Sequence, residues 1–390
     1  MKRILFVTPT LRNGGGVIRG LQNMLSLLPK NKYDIDVLPM GYSDSDNVSL
    51  YNCSILKDNF ILTSISAIFS QTKNYKHRNK LRIAKSILSI LGKIGIRTKI
   101  ENWLFKFTAK KYSNYDIVVA YQEGLCTHFV QYIKTPNKIA WIHCDYASWK
   151  KADKWNEEHI YKNYQKIVCV SKFTLQNFQK IYPSLNEYCT YIHNILDKKY
   201  IKESACISYD DCNYDNDIVK LISIGRINPV KQFHLIPQII SKMLENGTSD
   251  FKWILIGGGE DTETFNNIQR EIKKYNIDNN HFVFIGSKFN PYPYIKNSDI
   301  LVSTSSSEAC PFVVNEARVL GIPVVSNCYP SIYEFINDGK NGIICTIEEM
   351  PNVLSDIIAD KEKLTLLKQE TINDDYDNDT IIKRICNLLD

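Results

Sequence analysis

The 390-residue chain is too long for one ordinary hydrophobic core, and its length predicts two domains of about 150–200 residues each. Hydrophobic residues make up 44% of the sequence, as is typical of a globular protein. The eleven cysteines contain no Cys-x-x-Cys pair and lie mostly in apolar runs, which indicates reduced thiols in a cytoplasmic protein. The apolar run after Lys2 and Arg3 is too short for a signal peptide, and no window of ~18 apolar residues indicates a membrane span, so we expect a soluble or peripheral protein.

The net charge of +6 is distributed unevenly along the chain. From Gln71 to Lys111 there are twelve Lys and Arg residues against one acid, Glu101, a local balance of +11. The rest of the chain therefore carries −5. The basic character belongs to one local surface and not to the whole molecule.

The first element is a buried strand within Met1–Pro9, and the glycines Gly14, Gly15 and Gly16 separate it from a helix over Val17–Leu28. Glycines between a strand and a helix let a backbone approach a bound group closely. A plain tight turn explains the same glycines.

Further strands alternate with helical patterns, which predicts a doubly wound parallel sheet. A helical pattern over Asn79–Phe107 has an apolar side formed by Leu81, Ile87, Leu88, Leu91 and Ile94. The predicted strands of the first half cover 34–39, 116–120, 138–142, 166–170 and 189–192. A polar, acid-rich stretch over 199–217 predicts a linker, and strands and helices resume at Ile218.

Two cations follow the first strand of the second half. Arg226 ends the strand, and Lys231 precedes the next helix. An arginine fork and a lysine point charge at a strand end suit a diphosphate. Two solvated cations beside a turn are the alternative.

The segment from Val302 to Ser326 reads as strand, serine-rich turn, helix and strand. Pro311 is predicted to be the first residue of the helix, where proline is favoured. The amides of Phe312 and Val313 then remain free at a helix end suited to an anion. Two carboxylates, Glu308 and Glu316, lie eight residues apart. An ordinary strand–helix–strand unit with solvated glutamates is the alternative.

This segment resembles the Glu–x7–Glu motif of GT-B retaining glycosyltransferases of the family 4 type. The family's second motif, Gly-Arg followed by Lys-Gly, is matched by Gly225, Arg226 and Lys231, with Gln232 in place of the second glycine. The matching positions of the first motif are Glu308, Pro311, Glu316, Ala317, Gly321 and Pro323.

The resemblance implies a GT-B fold, in which two Rossmann-like domains face a central cleft. It assigns 1–198 to an acceptor-binding domain and 218–374 to a nucleotide-sugar-binding domain. It also implies that a C-terminal helix within 375–390 packs back on the first domain.

The implied reaction is transfer of a hexose-type sugar, with retention of configuration, from a nucleoside-diphosphate donor to a glycan or polyprenyl-linked acceptor in surface-polysaccharide biosynthesis. A UDP-sugar is favoured over a GDP-sugar as the donor. In the family, catalytic roles belong to the positions of Glu308, His143, Arg226 and Lys231. The implied donor contacts are Gly15, Gly16, Arg226, Lys231, Lys288 on the base, Pro311, Phe312, Val313 and Glu316 on the ribose.

No cofactor or metal is expected, since cations and helix ends serve the diphosphate in this family. Asp44–Ser45–Asp46 and Asp375–Tyr376–Asp377 match Asp-x-Asp, but both lie in polar loops and are interpreted as chance. A sugar-nucleotide epimerase or hydrolase and a non-catalytic nucleotide-sugar-binding protein are the rival functions.

The basic segment 71–111 predicts contact with an anionic membrane through Lys80, Arg82, Lys85 and Lys93, which would place the protein on the inner face of the cell membrane. A solvated helix pair is the alternative. No nucleic-acid partner is expected, because the segment contains no recognisable binding module.

Overall fold

The computed structural model describes residues 1–11, 15–41, 52–66, 75–147, 157–207, 218–259 and 261–390. They form two compact units, Met1–Leu196 with Asn378–Asp390, and Asp197–Asp377. Each unit contains one parallel β-sheet with helices packed on it. Among these residues, no helix is both long and apolar enough to cross a bilayer.

The strands and helices are numbered separately in chain order. The strands are β1 (Lys2–Thr8), β2 (Tyr33–Pro39), β3 (Ser54–Ile55), β4 (Ile117–Ala120), β5 (Asn137–Ile142), β6 (Lys166–Cys169), β7 (Cys189–Tyr191), β8 (Val219–Arg226), β9 (Phe251–Gly258), β10 (Phe282–Phe284), β11 (Ile300–Ser303), β12 (Val324–Asn327) and β13 (Gly342–Cys345). The helices are α1 (Gly16–Leu27), α2 (Phe60–Ser66), α3 (Arg78–Lys93), α4 (Arg97–Ala109), α5 (Leu125–Val130), α6 (Glu157–Tyr161), α7 (Lys172–Ile181), α8 (Lys198–Ser204), α9 (Ile236–Glu245), α10 (Thr262–Lys274), α11 (Tyr292–Lys296), α12 (Phe312–Val319), α13 (Met350–Ala359), α14 (Lys361–Asn373) and α15 (Asn378–Leu389).

Both sheets are doubly wound. The first has the strand order β3-β2-β1-β4-β5-β6-β7, and the second has the order β10-β9-β8-β11-β12-β13. Their central strands read as continuous apolar runs, such as Ile4 to Val7, because helices cover both faces of a parallel sheet. The prediction of an α/β fold with two Rossmann-like domains is confirmed.

The strand order reverses once in each sheet. The reversal lies between β1 and β4 in the first sheet and between β8 and β11 in the second. In open α/β sheets, ligands bind outside the carboxyl ends of the strands at such a reversal. The residues that follow these four strands are therefore the first candidates for a site.

The chain forms a helix where the sequence predicted the start of a linker. Residues of the predicted linker 199–217 belong in part to α8, which packs on α11 and α12 in the second unit. The Asp197 side chain caps α8 by accepting a hydrogen bond from the Tyr200 amide at 2.9 Å. Residues 208–217 lie outside the described residues.

The C-terminal helix α15 belongs to the first unit. Its Arg384 guanidinium donates to the Tyr191 carbonyl at the end of β7. The terminal Asp390 accepts a hydrogen bond from the Tyr33 hydroxyl at 3.1 Å and pairs with Lys32. These bonds attach the end of the chain to two strands of the first sheet.

The predicted helical stretch 79–107 is two helices, α3 and α4, because Gly95 adopts a left-handed backbone conformation with φ +75° between them. Leu81 and Leu88 face the core, as predicted. The placement of Ile87 and Ile94 on the same apolar side was wrong, since both side chains are exposed.

Candidate functional site

The carboxyl end of β8 leads into a short turn that brings Lys231 back over the strand. Arg226 ends β8 and is exposed. A Cβ added at Gly225 would lie 2.9 Å from the Lys231 Cε, so glycine leaves room for the lysine side chain in this position. Gln232, at the position where the resembled motif has glycine, adopts the left-handed conformation, with φ 51° and ψ 30°.

This turn is tied to the loop that follows β11, across the strand reversal of the second sheet. The Asn228 side chain caps the turn by accepting from the Lys231 amide at 3.1 Å. Thr304 donates its hydroxyl to the Lys231 carbonyl at 2.7 Å, and the Ser306 amide donates to the Val230 carbonyl at 2.8 Å. The two loops form one hydrogen-bonded edge.

Glu308 lies in this edge and pairs with Lys231. The same carboxylate oxygen accepts a hydrogen bond from the Ser305 hydroxyl at 2.9 Å. The side chains of Lys231 and Glu308 are 18% and 19% exposed, so each remains open to an incoming ligand. The structure thus brings together two residues that are 77 positions apart in the sequence.

Helix α12 begins immediately after this loop. Pro311 is its N-cap, with ψ 104°, and Phe312 is the first helical residue. The prediction of Pro311 at the first helical position was therefore one residue early. The amides of Phe312 and Val313 still lie in the first turn, where backbone N–H groups have no partner within the helix and attract anions.

Glu316 occupies the second turn of α12 and is fully buried. The Tyr292 hydroxyl at the start of α11 donates to its carboxylate at 3.1 Å. The carboxylate is therefore closed to solvent and to ligands in this structure. Lys288 is half-buried, and its ammonium group lies 5.4 Å from the centre of the Tyr294 ring.

The structure describes only one of the two Asp-x-Asp segments. Asp44–Ser45–Asp46 lies outside the described residues. In Asp375–Tyr376–Asp377, the Asp375 carboxylate is engaged in an ion pair with Lys198 at 2.5 Å. The Asp375 side chain is 84% exposed, so this contact is a surface ion pair.

In the first unit, Gly15 is the N-cap of α1 and Gly16 its first residue. The Gly15 backbone is extended, with φ −113°, and no atom of the described residues lies within 4 Å of the position of an added Cβ. The backbone conformation therefore does not require glycine at this position. Gly14 lies outside the described residues.

His143 follows β5, and its backbone amide donates to the Glu123 carboxylate at 2.8 Å. The imidazole ring lies 4.8 Å from the Tyr121 ring. Its Nε2 is buried, and none of the described residues hydrogen-bonds to it. Burial lowers the pKa of His143 to about 3, so the ring is neutral at physiological pH.

Four polar residues that contact predicted site residues were not identified from the sequence: Glu123, Asn228, Tyr292 and Ser305. Glu123 follows β4, which neighbours β5, and its carboxylate holds the segment that carries His143. Ser305 binds Glu308, and Asn228 fixes Lys231. Their positions just after predicted strands were a usable signal for all except Tyr292.

Another buried acid, Glu157 at the start of α6, predicts an unusual pH dependence of stability. The Tyr146 hydroxyl bonds to its carboxyl group, and burial, followed by the charge of Glu123, raises the pKa of Glu157 to about 8. Between pH 4.5 and about 8, the Glu157 carboxyl group is therefore protonated in the folded protein and ionised in the unfolded chain. Consequently the free energy of unfolding contributed by this group falls as the pH rises from 4.5 to about 8.

Glu157→Gln removes this dependence. In urea unfolding at pH 5.5 and 8.5, we expect the variant to gain stability relative to the parent at the higher pH, on the order of a few kcal/mol. Glu158→Gln is the control, because hydrogen bonds from Ser184 and then Lys162 lower the pKa of that carboxyl group. Equal pH dependence in the parent and Glu157→Gln would contradict the raised pKa.

Part of the chain matches a family of known proteins. Residues 213–374 match the family model of glycosyl transferases group 1. A Haemophilus influenzae protein described as an uncharacterized glycosyltransferase is 27% identical over 169 residues, which cover 42% of this chain and 46% of that protein. The lipopolysaccharide core biosynthesis glycosyltransferase LpsE of Rhizobium meliloti is 25% identical over 179 residues, which cover 44% of this chain and 50% of LpsE. The chain thus spans about half the length of these relatives.

The whole chain also resembles solved structures. The crystal structure of Anabaena HepE in complex with UDP and glucose superimposes with a TM-score of 0.74 at 14% identity, covering 100% of this chain and 99% of HepE. At this identity the likeness shows the fold, which is GT-B. The chain is therefore a GT-B protein whose residues 213–374 match the glycosyl transferases group 1 family.

Proposed function

We propose that this protein is a retaining glycosyltransferase of the family 4 type that moves a hexose-type sugar from a nucleoside-diphosphate donor, UDP in preference to GDP, to a glycan or lipid-linked acceptor in surface-polysaccharide biosynthesis. The observation that carries the proposal is the Lys231–Glu308 pair at the strand reversal of the second sheet. Exposed Arg226 and the amino end of α12 lie on strand ends of the same reversal. The complex of HepE with UDP and glucose supports the choice of a UDP-sugar donor. The similarity to LpsE, a lipopolysaccharide core biosynthesis glycosyltransferase, supports the pathway class.

The proposed reaction breaks the bond between the sugar C1 and the β-phosphate oxygen and forms a bond between C1 and the acceptor oxygen. The acceptor's proton passes to an oxygen of the departing diphosphate. Negative charge grows on that diphosphate, and Arg226, Lys231 and the amides of Phe312 and Val313 stabilise it. These groups take the place of a metal ion, so the proposed reaction is metal-independent and needs no cofactor.

Glu308 has the contacts expected of a residue that holds the donor sugar. Its carboxylate pairs with Lys231 and accepts from Ser305, so it is oriented before a donor arrives. In the proposal it accepts hydroxyl groups of the sugar and favours positive charge at C1. Glu316 accepts the ribose hydroxyls, which requires that the carboxylate be uncovered on binding.

The remaining predicted donor contacts stay proposals. His143 contacts the donor sugar as a neutral ring, since its pKa of about 3 excludes a charged imidazolium at physiological pH. Lys288 contacts the base, and Gly15 and Gly16 leave room for the donor. We also propose a cytoplasmic location, because the cysteines among the described residues are free thiols.

The configuration of the product tests the reaction. The protein is incubated with α-linked UDP- and GDP-sugars and with a lipid-linked glycan acceptor, and the anomeric configuration of the product is read by NMR. We expect an α-linked product, with UDP-sugars used faster than GDP-sugars. A β-linked product contradicts retention.

The same assay without acceptor addresses the rival functions. Free sugar or an epimer formed at full rate favours a hydrolase or epimerase. Tight nucleotide-sugar binding with no product under any condition favours a non-catalytic binding protein. We expect the donor to be consumed slowly unless an acceptor is present.

A further inference from the structure

Helix α3 carries apolar residues on two opposite faces. Leu81 and Leu88 are buried in the core of the first unit. Ile83, Ile87 and Ile90 are between 51% and 63% exposed, and Ile94, which caps the helix, is 62% exposed. The spacing of four, three and four residues places these isoleucines in one stripe on the helix surface. A stripe of four exposed isoleucines indicates a surface that another body covers.

Exposed cations flank the stripe. At about 100° per residue, Lys80 lies on one side of the isoleucines, and Arg82 and Lys93 lie on the other. Lys85, which the sequence placed in the same group, is only half-exposed, and burial lowers its pKa. The cationic border of the stripe is therefore Lys80, Arg82 and Lys93.

The neighbouring helix α4 packs on α3 and adds exposed aromatic rings. Trp103 and Phe107 are 64% and 53% exposed, and their rings stack with centroids 6.1 Å apart. Exposed Lys106 lies on the same helix. Tryptophan beside lysine is the combination enriched where proteins meet the headgroup region of a bilayer.

Charge identifies the body that covers this surface. Residues 75–112 contain eleven Lys and Arg residues and one acid, Glu101. A second copy of the chain would bring two strongly positive surfaces together. A nucleic acid would satisfy the cations and leave the isoleucines in water. An anionic bilayer satisfies both, because its headgroups attract the cations and its acyl boundary accepts the apolar stripe.

We propose that the exposed surface of α3 and α4, defined by Ile83, Ile87, Ile90, Ile94, Trp103 and Phe107 with the cations Lys80, Arg82 and Lys93, docks the protein onto anionic lipid bilayers. The helices lie in the interface and do not span the bilayer, in agreement with the absence of a spanning helix from the described residues. The proposal goes beyond the sugar-transfer reaction and does not depend on it.

Co-sedimentation with lipid vesicles tests the docking, using the full chain without any nucleotide sugar. The vesicles contain phosphatidylcholine alone or with phosphatidylglycerol. We expect binding to the anionic vesicles that weakens with added salt. Replacing Lys80, Arg82 and Lys93 by Gln lowers the partition coefficient roughly fivefold for each charge removed. Replacing Ile83, Ile87 and Ile90 by Gln lowers it roughly tenfold or more at unchanged charge.

Matched controls use exposed residues elsewhere in the chain. Lys30, Lys134 and Lys166 changed together to Gln remove the same charge, and Ile181, Ile207 and Leu366 changed together to Gln remove similar apolar surface. We expect both controls to bind as the parent does. Thermal unfolding verifies that all four variants fold.

Three outcomes would overturn the docking proposal. The first is equal binding to neutral and anionic vesicles, and the second is equal loss in the controls and the α3 variants. The third is that the isoleucine variants bind anionic vesicles as the parent does, while the same substitutions abolish self-association or RNA binding of the protein. Because no sugar donor is present, failure here leaves the transferase proposal untouched.

Discussion

Replacing Lys231 by alanine lowers kcat/KM for the nucleotide sugar roughly 10- to 100-fold, and Arg226→Ala does the same. Each charge-assisted bond to the diphosphate contributes about 1.5–3 kcal/mol, and that contribution is largest when the leaving group carries its full charge. Steady-state kinetics with varied donor at saturating acceptor measures the effect. The controls are Lys242→Ala and Arg270→Ala, exposed cations of α9 and α10 in the same unit.

The Lys231–Glu308 pair makes a sharper version of this test available. Removing Lys231 also leaves the Glu308 carboxylate without its cation, so the two residues act as a unit. The double variant Lys231→Ala/Glu308→Gln should therefore lose much less than the sum of the two single losses in transition-state free energy. A loss confined to the acceptor's KM, with unchanged donor kinetics, contradicts the diphosphate assignment.

The two glutamates should separate by what they bind. Glu308→Gln keeps the shape of the side chain but loses its charge, so we expect kcat to fall roughly 100-fold while the Kd for UDP changes by less than about threefold. Glu316→Gln should weaken UDP binding roughly tenfold, because a carboxylate accepts two hydroxyl donors and an amide oxygen fewer. Isothermal titration with UDP and kinetics with the UDP-sugar report the two effects separately.

A nucleotide without the 2′-hydroxyl serves as the control ligand. The parent and Glu308→Gln should prefer UDP over 2′-deoxy-UDP, and Glu316→Gln should lose that preference. Glu316 is fully buried and accepts from Tyr292, so thermal unfolding of each variant distinguishes lost binding from lost folding. If Glu316→Gln keeps both the affinity and the preference, the ribose role is wrong.

The strands and the local setting of the site could be predicted because they depend on short sequence patterns. Apolar runs identify β8 and β11, and Glu308, Pro311 and Glu316 follow from one strand–turn–helix segment. The proline was misplaced by one residue, since its fixed φ suits both the N-cap and the first helical position. A local pattern of this kind often allows a helix to begin at either of two neighbouring residues, so the predicted end can be wrong by one position.

The pairings between distant segments could not be predicted. The contact between Lys231 and Glu308 depends on the adjacency of β8 and β11 in the sheet. Two other strands, β9 and β10, lie between them in the sequence. The burial of Glu316 depends on α11, a five-residue helix that supplies Tyr292. These features are set by tertiary packing, to which periodicity is insensitive.

The two apolar faces of α3 show a different limit of sequence patterns. Periodicity placed Ile87 and Ile94 with Leu81 and Leu88, because a broad apolar arc and two separate faces give similar spacings. The exposed fractions separate them, since Leu81 is 0% exposed and Ile94 is 62% exposed. The sequence pattern alone therefore did not separate the exposed isoleucines from the core-facing leucines.

Direct titration of UDP tests the central claim, which is that the second unit binds a nucleoside diphosphate through Arg226 and Lys231. Calorimetry is run on the parent, on Arg226→Ala/Lys231→Ala and on the control Lys242→Ala/Arg270→Ala, with uridine as a ligand that lacks the phosphates. The account predicts that the site variant loses UDP affinity at least 100-fold while its weak uridine binding and the control are unchanged. UDP binding of equal strength in the parent and the site variant would contradict it.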